Sequence, residues 1–381
     1  MLICSRCGNS DKRTFGINKE GKSYCRLCIS FKEEKITGNI NIKHQNIKPQ
    51  LKYPLSKEQQ EISMNIKESF IKGKDSIIYA VCGAGKTELV YQVIGYCLSK
   101  GLQVGFAIPR KDVVIELVSR IREVFPKNKV IGLYSSSTNE KKADIIVLTT
   151  HQLYRYEKYF DLLIIDEVDA FPFKDNIVLN KFFFNSIRGN FIMMSATLDK
   201  DNIDGKISNN YDFYRLSKRY HNHPLIVPRV IVSPLFKKFI LIYHMLRFSK
   251  ENKPFLVFLP TINECEELYS FVKLFVKKGN YVHSKKKDRD QIVASFKQGV
   301  YRYLLTTSIL ERGITIKDLQ VIVYCADDKI FTCDTLIQIS GRVGRKIDSW
   351  SGEVIYIAKK TTSSIDESIK KIKKDNDENY L

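Results

Sequence analysis

The feature that most constrains the fold is a stretch in which an apolar segment turns through glycines into a predicted helix. Residues 76–82 are mostly apolar and are followed directly by Gly83-Ala-Gly-Lys-Thr87. Glycines allow backbone N–H groups to curl around phosphates, and the start of a helix adds the positive end of its dipole. Ala80 stands where the phosphate-binding pattern has its first glycine, so the match is incomplete. The stretch predicts an α/β domain that binds a nucleotide, with Lys86 reaching the β- and γ-phosphates and Thr87 holding Mg²⁺.

A second apolar stretch ends in three acidic residues. Residues 162–165 are apolar without alternation, which predicts a strand buried on both faces of a parallel sheet. Asp166, Glu167 and Asp169 follow at the edge where open α/β sheets bind ligands. Acids also end strands simply because loops are solvated, but a phosphate-binding loop upstream gives these acids specific roles. We predict that Asp166 holds Mg²⁺ and that Glu167 orients or deprotonates the attacking water.

Strands alternate with helices along the chain, which predicts doubly wound parallel sheets. Ser56 caps the first predicted helix, with Gln59 three residues on as in a capping box, and that helix opens the first domain. A polar break near 205–228 precedes a second α/β series, and the charged tail after Ile357 is expected to fray. The predicted parts are a metal module (1–35), a linker (36–53) and two domains (54–215 and 216–381).

Four of the nine cysteines form two pairs near the N-terminus, Cys4 with Cys7 and Cys25 with Cys28. Four thiolates satisfy tetrahedral zinc, and Gly8 fits a tight turn that needs a positive φ. So short a segment has little core, so the metal would supply most of its folding energy. A disulfide pair and an iron–sulfur cluster are the alternatives; we predict a closed, structural Zn²⁺ site.

The chain carries a large excess of positive charge. Its 62 Lys+Arg against 42 Asp+Glu give a net charge of +20. This favours a polyanionic partner, nucleic acid first and an anionic membrane surface second, over a merely lysine-rich solvated surface. No apolar run has the length of a signal peptide core or a membrane span, so we expect a cytoplasmic protein. Peripheral contact with the membrane stays open.

Two arginines lie three residues apart near the end of a helix predicted over 332–340 and carrying Gln338. On a continuing helix Arg342 and Arg345 would share one face and aim together at a γ-phosphate. The glycines beside them fit a close approach to another surface, while a solvated basic helix end is the alternative. We predict that both arginines act as fingers in phosphoryl transfer.

Taken in order, these motifs resemble those of a superfamily-two helicase motor over about residues 54–358. The matching segments are Gln59, Gly83 to Thr87, Asp166 to Asp169, Ser195-Ala-Thr197, Thr306 to Gly313 and Gln338 to Arg345. The resemblance implies two RecA-like domains, with ATP at their cleft and a nucleic-acid strand across both. The implied ATP and Mg²⁺ set is Gln59, Gly83, Ala84, Gly85, Lys86, Thr87, Asp166 and Glu167, and the implied catalytic set is Lys86, Glu167, Arg342 and Arg345. Coupling of hydrolysis to movement is implied for Asp169, Ser195 and Thr197, and strand contact for Arg110, Thr149, Thr150, His151, Thr306 and Thr307.

Within that superfamily the chain resembles the ComFA competence family. The resemblance rests on the four-cysteine module, on Asp166-Glu-Val-Asp-Ala-Phe-Pro-Phe173 and on Arg219-Tyr-His-Asn-His-Pro224. It implies a cytoplasmic ATPase of natural transformation that draws incoming single-stranded DNA into the cell. The implied partners are ComFC, DprA and the ComEC channel. Association with the inner face of the membrane and oligomerisation are left open.

Three alternatives remain at this point. A PriA-like primosomal helicase also joins zinc cysteines to such a motor, but it would need a strand-separating wedge that the sequence does not reveal. A DNA-binding scaffold that uses ATP only as a switch is disfavoured by Glu167 and by the two arginines. An RNA helicase is excluded by none of these residues.

Overall fold

A computed structural model describes residues 3–31, 35–37, 46–134, 140–197, 210–311 and 315–377. By their contacts the residues divide into two units. The first is Met1–Ala80 with Gly85–Leu216, and the second is Val81–Ala84 with Ser217–Leu381. Each unit contains one fully parallel sheet, which confirms the predicted fold class of two RecA-like α/β domains with a small four-cysteine module.

The module contains one small antiparallel hairpin. Its strands are β1 (Phe15–Ile17) and β2 (Ser23–Cys25), preceded by a 3₁₀ turn at Lys12–Thr14. The side chain of Asp11 accepts a hydrogen bond from the Arg13 N–H and caps that turn. Because the module has few residues, it buries little surface. Its stability therefore depends on its cysteines and on the residues that it packs against.

The first unit is built on seven parallel strands in the order β5-β6-β4-β7-β8-β3-β9. They are β3 (Asp75–Ala80), β4 (Val104–Ile108), β5 (Val130–Leu133), β6 (Ile145–Thr149), β7 (Phe160–Asp166), β8 (Ile187–Ser195) and β9 (Tyr211–Leu216). β7 lies between β4 and β8, and residues 162–165 are fully buried. The prediction of a strand covered on both faces is therefore confirmed. Because parallel neighbours end at the same edge, the carboxyl ends of β3, β4, β6, β7 and β8 lie side by side.

The α-helices described beside this sheet are α1 (Lys57–Ile71), α2 (Lys86–Leu89), α3 (Tyr91–Ser99), α4 (Lys111–Val124) and α5 (Ile177–Ser186). The capping box at Ser56 and Gln59 is present as predicted. The helix predicted after the glycine-bearing loop is interrupted at Val90. The Val90 N–H bonds to the Thr87 carbonyl three residues back, so the first turn closes as a 3₁₀ turn.

The second unit has six parallel strands in the order β10-β15-β14-β11-β13-β12. They are β10 (Arg229–Val232), β11 (Phe255–Phe258), β12 (Gly279–Val282), β13 (Tyr303–Thr306), β14 (Gln320–Tyr324) and β15 (Val354–Ala358). Its helices are α6 (Lys237–Lys250), α7 (Ile262–Val272), α8 (Arg289–Lys297), α9 (Cys333–Ser340) and α10 (Ser363–Asp377).

The C-terminal tail corrects one expectation. Residues after Ile357 were expected to fray because they are charged, but α10 forms there and packs against α9. Ile365, Ser368 and Ile372 are buried along one side of α10, and most of its charged residues lie outside that side, which is the pattern that anchors an amphipathic helix. Within the residues that the structure describes, no helix is both long and apolar enough to cross a membrane.

Candidate active site

The phosphate-binding loop has the backbone conformation that its glycines predict. Gly83 and Gly85 have φ of 86° and 79°, in the left-handed region that favours glycine. A Cβ atom on Gly85 would lie 2.7 Å from Nε2 of Gln59, so the loop backbone and the Gln59 amide are in close contact. Ala80, the departure from the usual pattern, is the fully buried last residue of β3. The departure therefore falls in the strand and leaves the flexible part of the loop intact.

Lys86, the first residue of α2, faces Asp166, the last residue of β7. Lys86 Nζ is 3.8 Å from Asp166 Oδ1, and each side chain is 16% exposed. Burial raises the pKa of Asp166. The nearby Lys86 ammonium lowers it, whereas the charges of Glu167 and Asp169 raise it. The Glu167 N–H donates to Asp166 Oδ1 at 2.8 Å, and Glu167 itself has a positive φ of 59°. Such a conformation is uncommon outside glycine and is frequent at functional sites.

These donors fit Mg²⁺. Carboxylate and hydroxyl oxygens are the ligands that this ion prefers, and Asp166 with the hydroxyl of Thr87 would supply them. Clustered carboxylates that raise the pKa of Asp166 also favour a bound cation, because a cation offsets their mutual repulsion. When bound, Mg²⁺ would neutralise charge on the ATP phosphates.

Asp169 connects the end of β7 to the end of β8. Its two carboxylate oxygens accept hydrogen bonds from Ser195 Oγ at 2.7 Å and from Thr197 Oγ1 at 2.9 Å. The Thr197 N–H also donates to Ser195 Oγ at 3.0 Å, and both hydroxyl residues are buried. These hydrogen bonds join the acidic loop after β7 to Ser195 and Thr197 at the end of β8.

The residues predicted to contact a strand in the first unit share the same sheet edge. Arg110 caps α4 just after β4, and Thr149 ends β6, where it pairs in register with Ile108 of β4. Thr149 is 8% exposed and Thr150 is fully buried, whereas Arg110 and His151 are half-buried. Burial lowers the pKa of His151, so its imidazole is neutral near pH 7. We expect Arg110 and His151, rather than the threonine side chains, to reach a bound strand.

The four cysteines are brought together as predicted. Their sulfur atoms all lie within 4.8 Å of one another, with Cys4 to Cys28 at 3.6 Å and Cys7 to Cys25 at 3.7 Å. Tetrahedral zinc with Zn–S bonds of about 2.3 Å separates its sulfurs by about 3.8 Å, so the spacing fits the ion. Gly8 has the predicted positive φ, of 70°.

The module is fixed to the first unit at the segment that follows Thr149. The ring of Phe31 lies 5.1 Å from the rings of both Tyr154 and Phe182 and is stacked on His151 at 6.4 Å. The Ile36 N–H donates to the Arg155 carbonyl, and Lys35 forms an ion pair with Glu157. This contact could not be predicted, because a single aromatic residue after Cys28 has no periodic pattern around it. The metal module thus adjoins a predicted strand-binding residue.

In the second unit, Thr306 is the last residue of β13 and Thr307 follows it. Thr306 is fully buried and its hydroxyl donates to the Thr307 carbonyl at 3.1 Å, while Thr307 is half-buried. Arg312 and Gly313, the end of that motif, lie outside the described residues.

The arginine pair requires a correction. Helix α9 ends at Ser340 and Gly341 is its C-cap, so Arg342 and Arg345 are not on a helix and do not share a helical face. Gly344 has a φ of 69°, which turns the chain away from the helix axis. Arg342 is 1% exposed and donates from Nε to the Glu311 carbonyl at 2.7 Å. Arg345 is more exposed and donates to the Gly341 carbonyl at 2.8 Å.

Comparison with known proteins defines the class. Residues 52–200 match the family model "Type III restriction enzyme, res subunit", and residues 237–346 match "Helicase conserved C-terminal domain". The fold is similar to that of the DEAD-box helicase Mss116 bound to ssRNA and UDP-BeF, with a TM-score of 0.67 at 17% identity over 84% of this chain and 78% of that one. Fold and motifs together define a superfamily-two, helicase-type ATPase.

Two curated relatives give the family. The chain is 33% identical to the competence protein ComFA of Bacillus subtilis over 98% of its length and 85% of that protein. It is 32% identical to ComFA of Streptococcus pneumoniae over 99% of its length and 91% of that protein. The chain therefore belongs to the ComFA family and is a competence-associated, helicase-type ATPase, which confirms the resemblance and the predicted enzyme class.

Proposed function

We propose that the protein is an ATP-driven translocase on single-stranded DNA that helps to draw incoming DNA into the cytoplasm during natural transformation. The observation that carries the proposal is the carboxyl edge of the first sheet. This edge holds Lys86 and Asp166, suited to phosphate chemistry, beside Arg110 and His151, suited to gripping a strand. The competence proteins in the family supply the biological setting.

Each predicted residue has a task in hydrolysis. Lys86 holds the β- and γ-phosphates, and Glu167 orients the attacking water or takes its proton. Arg342 and Arg345 stabilise negative charge on the transferred phosphoryl group, as arginine fingers do. These groups position reactants and offset charge, which is the main contribution that proteins make to phosphoryl transfer.

Asp169 couples that chemistry to movement. Its hydrogen bonds to Ser195 and Thr197 connect the acidic loop beside the phosphates to the segment after β8. Loss of the γ-phosphate changes the charge around Asp166, three residues away. A rearrangement around Asp166 changes the hydrogen bonds that Asp169 accepts from Ser195 and Thr197, and so moves these two residues.

The grip on DNA should be independent of sequence. A net charge of +20 favours contacts with phosphates, and these release counterions when they form. Affinity for a single strand should therefore fall steeply as salt rises, with little preference among sequences.

The decisive experiment is steady-state ATPase with and without single-stranded DNA. Lys86→Ala and Glu167→Gln should each lower the stimulated rate by at least about 100-fold, by removing charge stabilisation or water activation. Lys72→Ala is the matched control, since Lys72 is an exposed lysine of the same unit whose ion pair with Glu68 lies on the surface. Absence of DNA stimulation in the wild-type protein would refute the translocase.

Substrate choice separates the remaining alternatives. Displacement of streptavidin from a biotinylated single strand measures translocation, while unwinding of a forked duplex at a comparable rate would favour a PriA-like helicase. Competition between DNA and RNA for ATPase stimulation tests the RNA helicase, which gains support if RNA stimulates more strongly.

We also propose, from family membership, that ComFC, DprA and the ComEC channel are partners and that the protein contacts the inner face of the membrane. An exposed apolar stripe on α6 supports the membrane contact, because Phe236, Phe239, Tyr243 and Leu246 recur at helical spacing and are 45–70% exposed. Flotation with anionic vesicles, compared with a Phe239→Ser and Tyr243→Ser variant, tests it. Equal flotation of the two proteins would exclude α6 as the contact.

A further inference from the structure

The segment Arg219-Tyr-His-Asn-His-Pro224 has no part in the chemistry described above. It begins three residues after the first unit ends at Leu216 and belongs to the second unit. Its alternate residues share one environment. Arg219 is 2% exposed and His221 is 8% exposed, whereas Tyr220 between them is 47% exposed. The segment turns here, because the Asn222 N–H bonds to the Arg219 carbonyl at 2.9 Å and Asn222 has a φ of 60°. The two buried side chains of Arg219 and His221 reach a common neighbour.

That neighbour is the finger turn (residues 341–345), which carries both predicted finger arginines. Arg219 Nε also donates to the carbonyl of Cys82, just before Gly83, at 3.1 Å. Arg219 Nη1 donates to the carbonyls of Val343 at 2.9 Å and Gly344 at 2.6 Å. Its Nη2 lies 3.4 Å from the carbonyl of Gly341, the same oxygen that accepts from Arg345 Nε. Burial, with nearby Arg345, lowers the pKa of Arg219 to about 10, so the guanidinium is still charged near pH 7. These are charge-assisted bonds to the main chain of the turn.

His221 supports the same turn, and its hydrogen bonds define its tautomer. The His223 N–H is 3.2 Å from His221 Nδ1 and can only donate, so Nδ1 is the acceptor. The proton of the neutral ring is therefore on Nε2, which donates to the Gly344 carbonyl at 3.0 Å. The ring of His223 stacks on Trp350, just beyond the turn, at 4.1 Å and 11°.

The finger turn is so tight that Gly344 has no room for a side chain. An added Cβ on Gly344 would lie 2.3 Å from the Trp350 carbonyl oxygen and 3.0 Å from Arg219 Nη1. The helix has already ended at Ser340, so regular helical hydrogen bonds no longer fix the carbonyls that follow. Arg219 and His221 provide donors where the helix has none.

We propose that Arg219, assisted by His221, is a positioning residue that holds the finger turn and so directs Arg345. The inference rests on the proposed role of the arginines in ATP hydrolysis and adds to it the groups that hold them in place. A guanidinium suits this task because its planar fork reaches several carbonyls at once, which a lysine ammonium on a narrow stem does not.

The test compares Arg219→Lys with Arg302→Lys in DNA-stimulated ATPase. Arg302 is the matched control, since it also donates to a loop carbonyl in the second unit, that of Asn252 at 2.9 Å. For Arg219→Lys we expect kcat to fall about 10- to 100-fold, corresponding to one or two lost charge-assisted bonds, with KM for ATP within about twofold. Arg302→Lys should match the wild-type protein. A lower melting temperature of Arg219→Lys with unchanged kcat would show a merely structural role and overturn the proposal.

A spectroscopic readout and a second variant guard against misfolding. Trp350 is the sole tryptophan, so its emission reports the stacking of His223 and should change in Arg219→Lys but not in Arg302→Lys. His221→Ala should lower kcat about fivefold, and His221→Gln, whose amide can still donate to Gly344, should restore it. Wild-type kcat in His221→Ala and in Arg219→Lys alike would overturn the proposal.

Arg345→Ala, measured alongside, separates this inference from the function on which it rests. If Arg345→Ala retains full activity, the finger role fails and this proposal fails with it. If Arg345→Ala is inactive while Arg219→Lys is normal, the positioning role alone is wrong. If both lose activity, the double variant should be no worse than Arg345→Ala, because the two residues act through one group.

Discussion

Acid should weaken the second unit through His244, a buried histidine outside the proposed chemistry. His244 lies on α6, is 4% exposed, and its Nε2 is 3.4 Å from a guanidinium nitrogen of Arg229. Because that nitrogen can only donate, Nε2 is the acceptor and the neutral ring carries its proton on Nδ1. Burial, followed by Arg247 and Arg229, lowers the pKa of His244 from 6.5 to about 4.

The size of the effect follows from these two pKa values. The unfolded chain binds a proton at this imidazole near pH 6.5, whereas the folded unit keeps it neutral until about pH 4. The contribution to stability is therefore complete above pH 6.5 and is lost as the pH falls toward 4. With about 1.4 kcal/mol for each pKa unit, going from about pH 7.5 to about pH 4.5 should cost about 2.5 kcal/mol.

Urea unfolding followed by Trp350 fluorescence measures this loss, since the sole tryptophan lies in the second unit. His244→Gln removes the titration, while its amide oxygen can still accept from Arg229. Burial also lowers the pKa of His221. Carboxylates and His221 titrate alike in both proteins, so their contributions cancel when the free energy of unfolding of the variant is subtracted from that of the wild-type protein. We expect wild-type stability to fall by about 2.5 kcal/mol more than that of the variant. Parallel pH profiles would refute the reasoning.

Three contacts within the first unit carry measurable consequences. Asp169→Asn removes the carboxylate charge that accepts hydrogen bonds from Ser195 and Thr197. The length of strand moved per ATP hydrolysed should fall about fivefold while hydrolysis persists. An unchanged length per ATP would contradict the coupling. Phe31→Ala should destabilise the unit by about 2 kcal/mol and weaken single-strand binding, whereas Phe31→Trp should retain both; calorimetry and fluorescence anisotropy measure the two effects. Cys28→Ser should lower bound zinc from about one ion per chain to near zero and expose the module to trypsin, and a chromogenic zinc assay that finds no loss would reject the site.

Local sequence patterns predict a structural feature correctly where that feature depends on residues close together in the chain. The apolar run at 162–165 predicted the central strand β7, because burial on both faces removes any need for alternation. The capping box at Ser56 and Gln59 and the turn at Gly8 were equally predictable, since each depends on residues only a few positions apart. Sheet order could not be read in this way, because it depends on which strands pair across long connections.

The error at the arginine pair was avoidable in part. Helical spacing was extended through Gly341 and Gly344, although glycine directly after the last apolar residue of a helix usually marks its end. The three-residue spacing of Arg342 and Arg345 is helical, but the glycines beside them stop the helix before it reaches either arginine. The fraying expected of the tail failed for the opposite reason, because the apolar residues of α10 are few among many charges but fall on one face.

The contacts made by Arg219 and Phe31 were beyond prediction for a shared physical reason. Arg219 contacts carbonyl groups, and a carbonyl is identical for every residue type, so the identity of the partner leaves no mark in the sequence. Phe31 contacts rings more than a hundred positions away, and aromatic residues are common enough that no pair stands out. Both residues hold in place a segment that bears predicted functional groups. Supports of this kind are expected to be recognisable only in a structure, where a buried arginine that donates to several main-chain carbonyls identifies a loop whose shape matters.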